Sequence, residues 1–166
     1  MDFLIKRRGG RFAIFSKEYD VTYDGSVGSV LRFDSWKHSD FSINQRNYII
    51  RADGKGRWLL QINGTDSASC QRQATGPRLE FSIRFDDEKW QTKPVREWLM
   101  LRHDIWANNR KIARITPQTK MWSNEIAATF IQPPRLEIAI FSIWLIGIHS
   151  IGIAGKLTAA RAEAGI

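Results

Sequence analysis

The chain has 166 residues, of which 43% are hydrophobic and 25% charged, a composition that excludes general disorder and favours one globular domain. Lys and Arg number 25 against 17 Asp and Glu, so the formal net charge is +8. An excess of this sign predicts affinity for anions such as acidic lipid head groups or nucleic acid, although many basic domains use it only for solubility.

The cysteine content limits the covalent chemistry of the chain. Cys70 is the only cysteine, which excludes an intrachain disulfide and a cysteine-based metal cluster. Residues 1–8 lack the apolar segment and cleavage site of a secretory signal. A reducing compartment is therefore predicted, and with it a cytoplasmic location, with association to a membrane left open.

Most of the chain has the pattern of short β-strands. Residues 19–23 alternate apolar and polar side chains, the Asp24-Gly25 pair supplies a tight turn, and residues 27–33 form the return strand. Asn63-Gly64 and Asn108-Asn109 mark later reversals. Further strands are predicted at residues 48–52, 58–62, 78–85, 97–102, 111–116 and 125–131. Short strands at this spacing are typical of a sandwich or a barrel.

The C-terminal part has a different character. Pro133-Pro134 interrupts the strand pattern, and residues 138–154 then carry no formal charge. A helix that is apolar all round must be buried in protein or in lipid. A transmembrane span is one interpretation, since about 20 apolar residues cross a bilayer, but Glu137 and His149 would be costly there.

The interpretation we prefer is a central helix inside a closed sheet, because a barrel needs side chains to fill its interior. Gly147 and Gly152 would let the barrel wall approach such a helix closely. We expect one domain over residues 1–155, with the helix at about residues 135–153. Residues 156–166 are expected to form a polar tail that may be frayed.

The order of these features resembles the tubby C-terminal-like superfamily, which includes tubby domains, phospholipid scramblases and LURP-one-related proteins. The resemblance is to small bacterial members and covers roughly residues 12–150. It rests on residues 19–25, 48–51, 58–60, 68–72, 79–83 and 112–117, on Trp36, and above all on Pro133-Pro134 followed by the helix around residues 141–145.

The resemblance implies a mainly β fold, a closed antiparallel β-barrel of about a dozen strands around a hydrophobic C-terminal central α-helix. It also suggests phosphoinositide-like ligands, since tubby domains bind phosphoinositides. The chain departs from the family at Asn109 and Ala113, where glycine is expected in the late hairpin. The acidic calcium loop and the cysteine-rich tract of the scramblases are missing as well.

The sequence contains no catalytic signature. His38, His103 and His149 are scattered without the spacing of metal ligands, and Cys70 has no activating histidine near it in sequence. His149 is expected to be hydrogen-bonded in the core, and Cys70 to be a small buried apolar group. We therefore predict a protein that is not an enzyme, with no catalytic residue, no metal and no cofactor.

Clusters of basic residues are the better candidates for a binding site. Converging Lys and Arg side chains hold phosphate groups, so the clusters would form an anion-binding mouth if their turns shared one rim of the barrel. The alternative is a dispersed, solvated set of charges. The candidate residues are Lys6, Arg7, Arg8, Arg51, Lys55, Arg57, Arg110, Lys111 and Arg114.

These observations favour a non-enzymatic binding or scaffold domain that recognises anionic lipid head groups, a membrane surface or a protein partner. One alternative is a membrane-anchored, scramblase-like protein that uses the apolar helix as its transmembrane segment. Nucleic-acid binding is a second alternative, and the less favoured one, because it rests on charge alone and no stacking motif accompanies it.

Overall fold

The fold was obtained as a computed structural model that describes residues 1–8, 17–35, 37–54, 56–73, 80–97, 100–120, 123–132 and 134–147. These residues form a closed antiparallel barrel in which each strand pairs with its neighbours in sequence and β1 pairs with β12. The strands are β1 (Asp2–Arg7), β2 (Glu18–Tyr23), β3 (Ser26–Ser35), β4 (His38–Ile43), β5 (Arg46–Ala52), β6 (Arg57–Ile62), β7 (Thr65–Arg72), β8 (Phe81–Phe85), β9 (Glu88–Glu97), β10 (Met100–Ala107), β11 (Arg110–Lys120) and β12 (Ser123–Phe130). The prediction of a closed antiparallel barrel is confirmed.

The simple up-and-down order places successive connections at alternate ends of the barrel. We call the end that carries the β2–β3, β4–β5, β6–β7, β8–β9 and β10–β11 connections the hairpin end, because each of these connections is only two residues long. The opposite end, with the β1–β2 and β5–β6 connections among others, is the loop end. Any two sites in the chain can therefore be assigned to the same end or to opposite ends.

The β10–β11 turn shows that glycine is not required at the hairpin end. Asn108 and Asn109 both have positive φ, +48° and +60°, as tight hairpin turns need. Asparagine tolerates this left-handed region better than other side chains that carry a Cβ. The turn therefore forms although Asn109 stands where a glycine was expected.

Alternate positions of the strands point into the barrel and form its core. Cys70 is 1% exposed and packs in this core, as predicted. The inward residues include large aromatic side chains that contact one another across strands, such as Phe85 and Trp90, whose ring centroids lie 4.8 Å apart. Aromatic side chains of this size bury much apolar area, which makes burial the main stabilising term.

The C-terminal helix, α1, covers residues 136–147 and fills the interior. Residues 138–146 are each at most 1% exposed, so every face of more than two helical turns is covered. The Trp144 indole N–H donates to the Ser39 hydroxyl of β4 at 2.9 Å, and Gly147 lies against the Ile126 side chain of β12. Contacts with such separate parts of the wall place the helix within the barrel, so the prediction of a central helix is confirmed.

The predictions made for the C-terminal apolar segment can be compared with the structure only as far as residue 147. Gly147 does allow the close approach of β12 that was expected of it. Among the described residues no helix has the length and apolar character of a membrane span. The rest of the predicted helix, residues 148–153, lies outside the described residues, as do His149, Gly152 and the tail at 156–166.

Strand boundaries were the weakest part of the sequence prediction. Residues 97–102 were predicted as one strand, which is wrong, because β9 ends at Glu97 and β10 begins at Met100. No glycine, proline or asparagine marks that reversal. The strands β1, β4, β7 and β9 were not predicted either. In β4 and β9 the alternation is broken by polar residues that face inward, Ser39 and Thr92.

Candidate functional site

The basic cluster on β1 is neutralised by neighbouring strands. The Lys6 ammonium lies 3.0 Å from the Glu125 carboxylate, and Arg8 contacts both Glu18 and Asp20. The Arg7 guanidinium donates to the Tyr19 hydroxyl at 3.2 Å and lies over its ring. This cluster therefore presents little uncompensated charge.

The β5–β6 hairpin holds its arginines around one carboxylate. Arg57 Nε lies 3.4 Å from Asp53 Oδ2, and Arg51 Nη1 lies 3.9 Å from Asp53 Oδ1. Both arginine side chains are more than two-fifths exposed, and two cations share one anion. Lys55, the third predicted residue of this hairpin, lies outside the described residues.

The β10–β11 hairpin has a similar arrangement around a buried acid. The Asp104 carboxylate, 9% exposed, accepts from Lys111 Nζ at 2.7 Å and from Arg114 Nε at 3.4 Å. Arg110 is exposed at the start of β11, and Lys93 Nζ lies 5.0 Å from the centre of the Trp106 ring. The ion pairs hold two cations beside one nearly covered anion, which leaves an excess of positive charge on the outer wall.

The predicted basic residues do not share one rim. The C-terminal end of β1 and the β5–β6 turn lie at the loop end of the barrel, whereas Arg110 and Lys111 begin β11 at the hairpin end. The single mouth that the sequence suggested would need both turns at the same end. Whether any of these residues binds an anion stays a prediction.

The strand register instead assembles a basic surface on the outer wall. Arg51 pairs with Leu59, Leu59 with Ser69, Ser69 with Arg84, and Arg84 with Lys89, so these residues form one continuous row across β5 to β9. Because alternate residues of a strand share a face, Arg57 lies beside this row on β6 and Lys93 on β9. We define the basic face as Arg51, Arg57, Arg84, Lys89 and Lys93.

A depression of about 320 Å³ opens within the basic face. Its arginines are Arg57 and Arg84, on the two strands that flank β7, and its floor includes the small side chains of Ser69 and Ser82. Long side chains on both sides of small ones leave this space. No aspartate or glutamate is among the described residues that line it.

Ser82 is the most unusual residue of the depression. It faces the outer wall, because it pairs with Gln71 and Gln91, yet it is only 4% exposed. Its hydroxyl oxygen is covered and has no hydrogen-bond partner among the described residues. A buried hydroxyl without a partner is costly, so such groups in native structures call for an explanation.

Arg84, Lys89 and Ser82 were not predicted as site residues from the sequence. Arg84 and Ser82 lie on alternate positions of a strand whose other residues are apolar, and that alternation indicated an outward-facing polar pair. It did not indicate the register that brings Arg84 opposite Lys89 and Ser69. Register between strands depends on pairing that residue order along one strand does not contain.

The buried Cys70 thiol and His103 imidazole inside the barrel are not poised for chemistry. Burial raises the pKa of the Cys70 thiol, which keeps it protonated and a poor nucleophile. Burial also lowers the pKa of His103 to about 4, against a smaller opposing effect of Asp104. Both ring nitrogens of His103 lack a hydrogen-bond partner within the described part of the chain. In the same part, no three His, Cys, Asp or Glu side chains come together as metal ligands would.

Comparison with known proteins adds no assignment to this geometry: no family model, no curated protein and no solved structure matches the chain.

Proposed function

We propose that this protein is a non-enzymatic binding domain that recognises anionic lipid head groups through the basic face. The observation that carries the proposal is the row in which Arg84 stands directly opposite Lys89 across β8 and β9. Like charges directly opposite on neighbouring strands are destabilising. Both side chains are exposed, so an anion that bridges them would turn this repulsion into affinity.

Three acidic groups near the pair are engaged with other side chains. Asp86 at the β8–β9 turn accepts from Arg135 Nη1 at 2.8 Å, and Asp66 accepts from the Gln61 side chain at 2.7 Å. Asp53 is shared by Arg51 and Arg57. The positive charge of the basic face is therefore available to an outside partner.

The opposite wall of the barrel has the reverse character, which gives the molecule one basic side. On β1–β4 and β12 the exposed or half-buried acids outnumber the bases, and each base there contacts an acid or an aromatic ring. The charged residues of that wall are Asp2, Lys6, Arg7, Glu18, Asp20, Arg32, Asp34, Asp40 and Glu125. A one-sided distribution of this kind orients a protein on an anionic surface.

The interior supports a binding role over catalysis and over membrane insertion by the helix. Residues 138–146 are covered by the protein's own strands, so a scramblase-like anchor would have to empty the barrel first. The Cys70 thiol and His103 are enclosed in the same core. The membership of the tubby C-terminal-like superfamily stays a prediction, and it would place this protein among domains of the proposed class.

Vesicle flotation tests the proposal. Vesicles containing phosphatidylserine should bind the protein, with affinity that falls between about 0.05 M and about 0.15 M salt. The variant Arg51→Gln/Arg84→Gln/Lys89→Gln should lose about a hundredfold in affinity, since each basic residue at such a surface contributes about 1 kcal/mol. The control Arg8→Gln/Lys17→Gln/Arg32→Gln removes equal charge from β3 and the β1–β2 connection, which lie away from the basic face, and each of its residues is paired with an acid.

Equal loss of binding in the two triple variants would show that net charge alone is responsible and would overturn the proposal. Absence of binding to acidic vesicles at low salt would do so as well. Tight binding of duplex DNA at about 0.15 M salt, lost only in the first variant, would assign the basic face to nucleic acid instead.

A further inference from the structure

We infer that the depression between Arg57 and Arg84 is a binding site for one phosphate monoester group. The inference rests on the proposed function and makes it specific, because it assigns a single subsite within the basic face. The ligand chemistry is the same for a lipid that ends in a phosphate monoester and for a free phosphate compound.

The strand arrangement explains why two arginines converge here. Arg57 on β6 and Arg84 on β8 are two strand spacings apart with β7 between them, and they are offset by two residues along the strands, a backbone separation of about 12 Å. The β7 residue directly opposite Arg84 is Ser69, whose small side chain leaves the space above the strand open. Two extended arginine side chains can reach over this gap and meet on one anion.

The donors in the depression fit a tetrahedral oxyanion. Arg57 and Arg84 supply guanidinium groups, which bind phosphate through paired N–H donors. Ser69 and Ser82 supply hydroxyl groups from the floor. The Gln71 amide is already engaged, since its nitrogen donates to the Gly56 and Arg72 carbonyls. It therefore acts as a fixed part of the wall.

The unpartnered hydroxyl of Ser82 is the second observation that points to a ligand. It is covered, lines the depression and has no acceptor among the described residues. A phosphate oxygen seated beside it would accept a hydrogen bond from this hydroxyl once the exposed Arg84 side chain moves onto the anion. The depression, at about 320 Å³, is within the size range of small-molecule sites and accommodates a phosphate with a small substituent.

Asp53 lowers the affinity of this site for phosphate, because it is bound to Arg57 in the free protein. Its carboxylate holds Arg57 at 3.4 Å, so an incoming phosphate must compete for that guanidinium. Replacing Asp53 by asparagine would release Arg57 without removing a cation. The phosphate site should then become stronger, an effect opposite in sign to that of losing an arginine.

The decisive experiment measures melting temperature in inorganic phosphate against chloride at equal ionic strength. A ligand that binds only the folded state raises the melting temperature by mass action. We expect this rise for the wild type, a larger rise for Asp53→Asn, and a clearly smaller rise for Ser82→Ala and Arg84→Gln. Arg32→Gln, which removes an exposed arginine on β3, should keep it.

Ser82→Ala is the sharpest variant, because it changes no charge and removes a group that has no partner. Without phosphate it should melt at the same temperature as the wild type or higher. With phosphate it should bind about tenfold more weakly, the effect of one lost hydrogen bond to a charged group. An equal phosphate effect in all variants would mean general ion binding and would overturn the subsite.

Vesicles distinguish the source of the phosphate and separate the two proposals. Phosphatidic acid carries a monoester, whereas phosphatidylserine carries a diester, and only binding to the former should weaken in Ser82→Ala. If wild-type vesicle binding persists but Ser82→Ala binds inorganic phosphate and phosphatidic acid normally, the subsite fails and the proposed function stands. If inorganic phosphate binds and no vesicle does, the subsite stands with a free phosphate compound as its ligand.

Discussion

The inside and the outside of this barrel follow opposite rules. Inside, α1 and the inward strand residues form an apolar core in which polar groups are few. The Trp144 indole N–H is paired with Ser39, and the exception is the His103 ring, which has no described partner. On the outer basic face, like charges stand side by side and the Ser82 hydroxyl has no partner in the described structure. The stabilising contacts are therefore concentrated in the interior. The basic face carries the unfavourable Arg84–Lys89 pair and the unpaired Ser82 hydroxyl, which the proposed anionic ligand would relieve.

The largest effect is expected from the centre of the core. Trp144→Ala should lower the free energy of unfolding by about 3–5 kcal/mol, because it leaves a cavity inside the barrel and an unpaired Ser39 hydroxyl. Trp144→Phe, which keeps most of the volume, should cost clearly less. Denaturant unfolding measures both. A cost below about 1 kcal/mol for Trp144→Ala would contradict the placement of α1 in the barrel.

The next effect is a loss of stability in acid that originates at His103. Its pKa is lowered from 6.5 to about 4 in the folded protein, so between these values the unfolded chain binds more protons. Stability should therefore fall as the pH drops from about 6.5 to about 4, by up to about 3 kcal/mol. In His103→Leu the free energy of unfolding should change less with pH over this range. The control His38→Gln, at an exposed histidine, should keep the wild-type pH dependence. Identical profiles for the wild type and His103→Leu would refute the assignment.

A smaller effect is expected at the edge of the core. A Cβ added at Gly28 would collide with the Tyr23 ring, which packs 6.0 Å from Phe3. Gly28→Ala should thus cost about 1–3 kcal/mol by forcing that ring to move. In a Tyr23→Ala background the same substitution should cost almost nothing, and a double-mutant cycle measures the difference. Equal costs in both backgrounds would place the strain elsewhere.

The smallest change in stability is expected on the basic face. Lys89→Glu puts opposite charges across β8 and β9 and should stabilise the fold by about 0.2–1 kcal/mol. The same substitution should weaken binding to acidic vesicles. Stabilisation together with unchanged vesicle binding would show that the Arg84–Lys89 pair has no part in recognition and would remove the contrast between inside and outside.

The candidate site was less predictable than the fold because its parts are far apart in sequence. Arg51 and Arg57 attracted attention as neighbours of one turn, but Arg84 and Lys89 flank another turn and join them only through the pairing of β5 to β9. The opposite error occurred with Arg110 and Lys111, which the topology places at the hairpin end. In an up-and-down barrel, successive turns lie at alternate ends. Which turns lie at the same end of the barrel can therefore be read from the sequence only when every strand has been identified.

The sequence by itself indicated a mainly β chain with an apolar C-terminal segment, and it favoured a barrel filled by that helix over a membrane span. Alternating side chains, tight turns at pairs such as Asn63-Gly64 and an uncharged apolar segment leave few other ways to bury so much apolar surface. Only the tertiary structure decided which charges became neutral pairs and which remained as a basic face. Charges act through space, and the distances between strands are set by register rather than by separation along the chain.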